Sequence, residues 1–175
     1  MISELKRCMD QELDIIINCL IKKESTAFIK ESVDLALNAI CDNGCESIIV
    51  KILLNQGSIK SPLMKVKIIK CLERIAQRLQ NRFVSFKEAD KIVCSLANFV
   101  SDSSLDVRNA SKKALLTISN EIINSMDFDK LLNRSLNEEN YIKVKAIVSK
   151  ISCNKTNDHL IITNSNHESL QSKNE

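Results

Sequence analysis

An all-α stack of helical hairpins, an α-solenoid, is the fold that this sequence predicts, and three observations predict it. Glycine occurs twice and proline once in 175 residues, too few for the turns that β-hairpins need. Apolar residues recur at helical spacing in one segment after another. Hydrophobic residues make up 44% of the chain but aromatics only 3%, so the core is aliphatic, as suits helix packed on helix.

The first helix is expected over Ser3 to Lys22, with Leu5, Met9, Leu13, Ile16 and Leu20 as its main stripe. Cys8, Ile15 and Cys19 widen that stripe, so this helix is apolar on more than one side. The polar break Lys22 to Thr26 turns the chain into a second helix, Ala27 to Ile40, faced by Ile29, Val33, Ala36, Leu37 and Ile40. Asn43, with Glu46 three positions on, reads as a capping-box start for a third helix that buries Ile48, Ile49, Ile52 and Leu53. Gly57 is placed to end that helix in a left-handed conformation, and Ser61-Pro62 to open the fourth. The fourth stripe is Met64, Ile68, Cys71, Leu72, Ile75 and Leu79.

Ser85 and Glu88 form a second capping-box pattern before a fifth helix lined by Ala89, Ile92, Val93, Leu96 and Val100. The loop Ser101 to Ser104 then enters a sixth helix whose inner face is Val107, Ala110, Ala114, Leu115 and Ile118. Its alanines let a neighbouring helix approach closely. Asp127 is expected to cap a short helix holding Phe128, Leu131 and Leu132, and a last helix from Asn140 buries Val144, Ile147, Val148 and Ile151. Residues 1–153 therefore read as one repeat domain. Residues 154–175 read as a polar tail, disordered or ordered only on a partner, with Leu160 to Ile162 as its hydrophobic island.

Asn43 and Ser85 stand 42 residues apart, and the first helix keeps nearly the same step. That interval lies within the roughly 40–47-residue period of HEAT and armadillo arrays. The stretch SDSSLDVRNASKKALLTIS, Ser101 to Ser119, resembles the second helix of a HEAT repeat: a loop Asp, then Val-Arg, then Ala and Leu. The resemblance sharpens in three segments. TAFIKESVDLALNAI (Thr26 to Ile40) is similar to a helix of TOG domains. GSIKSPLMKVKIIKCLERI (Gly57 to Ile75) is similar to the turn and Val-Arg helix of the next TOG repeat, with Met64-Lys65 in the Val-Arg place. MDFDKLLNRSLNEENYIKVKAIVSKI (Met126 to Ile151) is similar to the C-terminal cap of crescerin-type TOG domains, the TOG-array regulators of axonemal microtubules. They are related to the CLASP-type domains.

What the resemblance implies is a paddle of HEAT hairpins that binds αβ-tubulin along one edge, through the loops inside each repeat, in a ciliary or axonemal setting. Carried onto this chain, that edge holds the basic candidates Lys22, Lys23, Lys60, Lys65, Arg108 and Lys112. Cations along one rim would meet an acidic partner and speed encounter by steering. Each also has a plainer role. Arg108 can brace its loop by pairing with Asp102 or Asp106, and the lysines can be solvated loop charges. The chain departs from the family in lacking tryptophan and in having Lys65, without the planar fork of arginine, at the Arg-like position.

Other functions find little support in the residues. The only histidines, His159 and His167, lie in the polar tail, and no phosphate-binding Gly-rich loop occurs, so no enzyme and no cofactor are expected. Seven cysteines on or beside apolar stripes read as thiols of a reducing compartment, and Cys41 and Cys45 lack the second pair that a zinc site needs. A formal net charge of +3 and few aromatics speak against nucleic acid or membrane surfaces. The N-terminus is amphipathic and charged rather than a secretory signal, so a cytoplasmic protein is expected, and the resemblance implies the cytoskeleton as its setting. The alternative to tubulin is an adaptor that scaffolds other proteins. Ile15, Ile17 and Cys19 on the first helix suggest in addition a contact with further repeats or a second copy.

Overall fold

The computed structural model describes residues 2–22, 27–55 and 60–149, and the described residues are helical and strand-free. α1 (Ile2–Lys22) and α2 (Ala27–Asn43) make the first hairpin, α3 (Glu46–Leu54) and α4 (Pro62–Leu79) the second. α5 (Ala89–Phe99) and α6 (Leu105–Glu121) make the third; α7 (Ser125–Ser135) is followed by α8, residues 138–149. Odd-numbered helices pack on one another as one layer, α1 on α3, α3 on α5 and α5 on α7; α2, α4 and α6 pack in sequence as the other. This is a HEAT-like α-solenoid, with its core between the layers.

The centre of that core is α4 against α6, the most extensive helix contact among α1 to α7. Ile68, Leu72, Ile75 and Leu79 meet Val107, Ala114, Leu115 and Ile118, all buried. Burying a Leu or Ile side chain contributes about 1.5–3 kcal/mol, so these stripes outweigh the weak intrinsic propensity of any one helix. Polar groups buried in and beside this contact are satisfied. Ser111 donates to the Leu96 carbonyl at 2.5 Å, and the largely buried Glu73 accepts from Thr117 at 2.8 Å.

Several local expectations give way to tertiary packing. In α1 the buried residues are Leu13, Ile17 and Ile21, with Leu20 half-buried, while Ile16 turns outward. Both registers are helical; the positions of α2, α3 and α4 around α1 select one. Leu5, Cys8 and Met9 lie outside the described side chains, and Gly57, Ile151 and residues 154–175 outside the described residues. Asn43 does not cap α3. It ends α2, where its amide donates to the Ala39 carbonyl, and Cys45 stands at the α3 N-cap without a side-chain bond.

Nor do Ser85 and Glu88 form a capping box. Ser85 closes a 3₁₀ segment, Gln80–Ser85, that buries Phe83. Glu88 takes the N-cap position of α5, but its carboxylate accepts from Ser47 of α3 at 3.1 Å, a bond to the preceding repeat that leaves the local cap unmade. Asn124, not Asp127, caps α7, accepting from the Met126 N–H at 3.0 Å. The period survives these corrections. The N-caps Ser61 and Ser104 are 43 residues apart, as are Cys45 and Glu88.

Candidate functional site: the rim of loops inside each hairpin

In stacked hairpins the loops inside the repeats lie along one edge, and the turns between repeats along the other. Polar bonds trace both. On the inter-repeat edge Arg78 donates to the carbonyls of Cys41 (2.6 Å) and Gly44 (2.8 Å) and pairs with Glu46 at 2.7 Å. Arg74 forks onto Asp42 at 2.7 and 2.6 Å. Further along, Asn81 accepts from the Ile123 N–H, and Arg134 joins Asp90 and the Val84 carbonyl. Arg74 and Arg78 thus join the second hairpin to the first, and Arg134 joins α7 to the third.

The intra-repeat edge is held by lysines. Lys67, near the start of α4, donates to the Leu20 carbonyl at the end of α1 (3.3 Å). Lys65 reaches forward one repeat to the Asp102 carboxylate at 2.5 Å, and Lys143 of α8 reaches back to Ser101 at 3.2 Å. Asp102 is the hub. One carboxylate oxygen takes Lys65 and the other accepts the Ser104 N–H at 2.9 Å, while the Asp102 backbone carbonyl accepts from Arg108 at 2.8 Å. The Lys65 hydrogen bond first, and the Ser104 N–H second, hold the Asp102 carboxyl below its usual range. An aspartate two residues before an N-cap closes an Asx-type turn, which is why this loop takes one shape.

Lys65 and Arg108 occupy the same position in successive repeats, four residues after Ser61 and Ser104, but they act differently. Arg108 braces its own loop, through the carbonyls of Asp102 and Ser103 at 2.8 Å each and not through the carboxylates of Asp102 or Asp106. Lys65 is 18% exposed and paired with Asp102, so it presents little free charge. Lys22 closes α1, Lys60 precedes the α4 N-cap and Lys112 lies one turn beyond Arg108; all three are exposed. Lys23 lies outside the described residues. The same rim carries the exposed Leu63 and Leu105, in the first turns of α4 and α6, and the exposed carboxylates Asp106, Glu138 and Glu139.

Sequence reasoning missed the Lys65–Asp102, Lys143–Ser101 and Ser47–Glu88 links. Their spacings of 37, 42 and 41 residues, close to one repeat, were the available signal. Among the described residues no three His, Cys, Asp or Glu side chains converge to hold a metal ion, and no helix is long and apolar enough to cross a membrane.

Fold and rim together define a HEAT-like helical-repeat scaffold. No protein-family model matches the chain. It is similar to TOG array regulator of axonemal microtubules protein 1 of the mouse, at 28% identity over 159 residues. That similarity covers 84% of this chain but 8% of the mouse protein's length.

Proposed function

We propose that the chain is a non-catalytic TOG-like module that binds tubulin or microtubules through its intra-repeat loops, in an axonemal or ciliary setting. The folded module spans residues 1–153, with 154–175 a separate tail. The observation that carries this reading is the tie of successive helix ends beside the intra-repeat connections, Lys67 to the Leu20 carbonyl and Lys65 to Asp102, with Lys22, Lys60 and Lys112 exposed near them. The likeness to the mouse protein supports it. Lys65 and Arg108 form the base of this rim, where they shape the loop that the exposed cations flank.

The test is size-exclusion co-elution of the purified chain with αβ-tubulin at low and moderate salt, beside the variant Lys22→Glu, Lys60→Glu, Lys112→Glu. These substitutions leave the Asp102 hub intact, so the variant is expected to keep its helical signal and lose a salt-sensitive complex. Steered contacts of this kind weaken as the Debye length falls to about 8 Å at physiological salt. Absence of a complex at low salt refutes the reading.

One observation favours an adaptor for another protein: the rim is mixed rather than continuously basic. Leu63 and Leu105 stand 62% and 60% exposed beside Asp106. On that reading partner capture survives salt and is lost in Leu63→Ser, Leu105→Ser. The exposed Ile15, Ile16 and Cys19 of α1 support self-association through the N-terminal helix. Light scattering on the same column is expected to show a dimer that Ile15→Lys dissociates, and a concentration-independent monomer removes that part of the proposal.

A further inference from the structure

The inter-repeat edge, opposite the rim, carries apolar side chains that the described fold leaves uncovered. At the turn from α6 into α7, Ile123 is 86% exposed, more than any other large hydrophobic residue described, and Met126, three positions on, is 65% exposed. A lone exposed isoleucine is ordinary on a protein surface; an apolar cluster beside a cleft marks a contact site. Here the cleft is present. Asn81 accepts the Ile123 N–H at 3.0 Å, and this sets the pair beside a space of about 570 Å³ lined by Glu46, Leu79, Asn81, Arg82, Ser85 and Phe86. Leu79 and Phe86 supply its apolar lining and Arg82 an exposed cation. Glu46 pairs directly with Arg78 at 2.7 Å and feels Arg82 only as a further charge, so the Arg82 guanidinium stays open to an incoming carboxylate.

The chain itself supplies an occupant. Lys145, four positions before Ser149, pairs with Asp129, three positions after Met126, so the last described turn of α8 lies near Met126. Leu160 stands 11 positions after Ser149. That length of chain spans up to about 36 Å. The cleft lies one hairpin back, within two or three interhelical spacings of about 10 Å. The stretch Asp158-His159-Leu160-Ile161-Ile162 offers a carboxylate and then three consecutive apolar side chains, the complement of Arg82 beside Ile123, Met126 and Phe86. The other exposed apolar groups are worse placed: Ile15 and Ile16 are on α1 at the far end of the stack, and Leu63 and Leu105 are on the opposite edge.

We propose that the inter-repeat edge is the docking site of the chain's own C-terminal segment, with Leu160 to Ile162 covering Ile123 and Met126 and entering the cleft beside Phe86, and Asp158 meeting Arg82. A short tether holds such a segment at an effective concentration on the order of millimolar, so a contact too weak to form between separate molecules persists within one. The docked segment ties α7 and α8 to the third hairpin and leaves the intra-repeat rim free.

Amide hydrogen exchange on the full chain, over a series of protein concentrations, tests this. Amides 159–163 are expected to exchange roughly tenfold or more below the intrinsic rate of their sequence, whatever the concentration. The variant Leu160→Ser, Ile161→Ser, Ile162→Ser restores the intrinsic rate there and speeds exchange around Ile123 and Phe86. Ile123→Ser, Met126→Ser, at exposed positions outside the core, likewise frees 159–163 while α4 and α6 keep their protection. Exchange of 159–163 at the intrinsic rate in the parent chain overturns the proposal. Slowed exchange that Ile123→Ser, Met126→Ser leaves unchanged also overturns it, because the segment then rests elsewhere. So does slowing that grows with protein concentration, which makes a second copy the occupant.

Discussion

Gly44 sits where two helices meet at one end, and space rather than dihedral freedom makes it glycine. A Cβ there would lie 2.8 Å from Ile49 Cδ1 and 3.0 Å from the Ile40 carbonyl oxygen, the same oxygen that accepts the Gly44 N–H at 2.8 Å. The isoleucine tip can move, but the backbone oxygen belongs to the last turn of α2. Gln80 presents the reverse case: it holds φ 48°, a conformation that favours glycine, where α4 gives way to the 3₁₀ segment. Substitutions at these two positions are expected to act with opposite sign. Gly44→Ala should lower unfolding free energy by about 1–3 kcal/mol through overpacking. Gln80→Gly should raise it by about 1 kcal/mol by relieving backbone strain. Urea denaturation of the two variants checks this, and an unchanged midpoint for Gly44→Ala removes the packing argument.

At the scale of elements, what matters is which side chains leave their own helix. Lys65, Asp102 and Arg108 show it best: a lysine of one hairpin, an aspartate of the next loop and an arginine of the helix behind it settle one turn. Asp102→Asn keeps an acceptor for the Ser104 N–H but loses the charge that Lys65 answers. It is expected to cost about 1–2 kcal/mol at pH 7. The pH dependence has a definite sign. A carboxyl whose folded value is depressed stabilises the fold above its unfolded value of about 3.9 and loses that contribution as pH falls through the folded value. Asp102, Asp42, Glu46 and Glu139 are all depressed, so the native protein should lose stability below about pH 4. The gap between Asp102→Asn and the parent should narrow over the same range, as followed by circular dichroism; a constant gap down to pH 2 would mean that Lys65 contributes nothing through charge. Burial works against the depression of Glu46, and its own N–H and Arg78 outweigh it.

Across the whole molecule, stability follows position in the stack. Each hairpin touches its neighbours, so the middle is supported from two sides and the ends from one. α4 and α6 share the most extensive contact among α1 to α7 and bury whole stripes of side chains in it, whereas α1 turns Ile15 and Ile16 to solvent. Amide hydrogen exchange is expected to be slowest in α4 and α6 and faster by an order of magnitude or more in α1, since local opening free energies range from near zero to the global value. Protection of α1 equal to that of α6 would contradict this gradient and point to a partner covering its outer face.

The chain's own order of residues determined the helices and their period. Apolar side chains at helical spacing, a proline after Ser61 and almost no glycine leave a chain of this length little choice but stacked helices. The stripes of α4, α5 and α6 were therefore legible residue by residue, because burial on one face is a local, additive signal. The ends of helices were not. Asn43, Ser85 and Asp127 read as caps, yet Asn43 ends a helix, Ser85 closes a 3₁₀ turn and Asp127 lies inside the first turn of α7. A cap is one hydrogen bond of about 1 kcal/mol, and a competing partner from the next repeat overrides it, as Ser47 does for Glu88. The rim was legible only in part for the same reason. Its cations could be named from the loops that hold them, but that Lys65 is consumed inside was decided by a neighbour 37 residues away, Asp102. Periodicity is written along the chain, whereas pairing depends on which hairpin the stack sets beside it, and that exists only once the helices have packed.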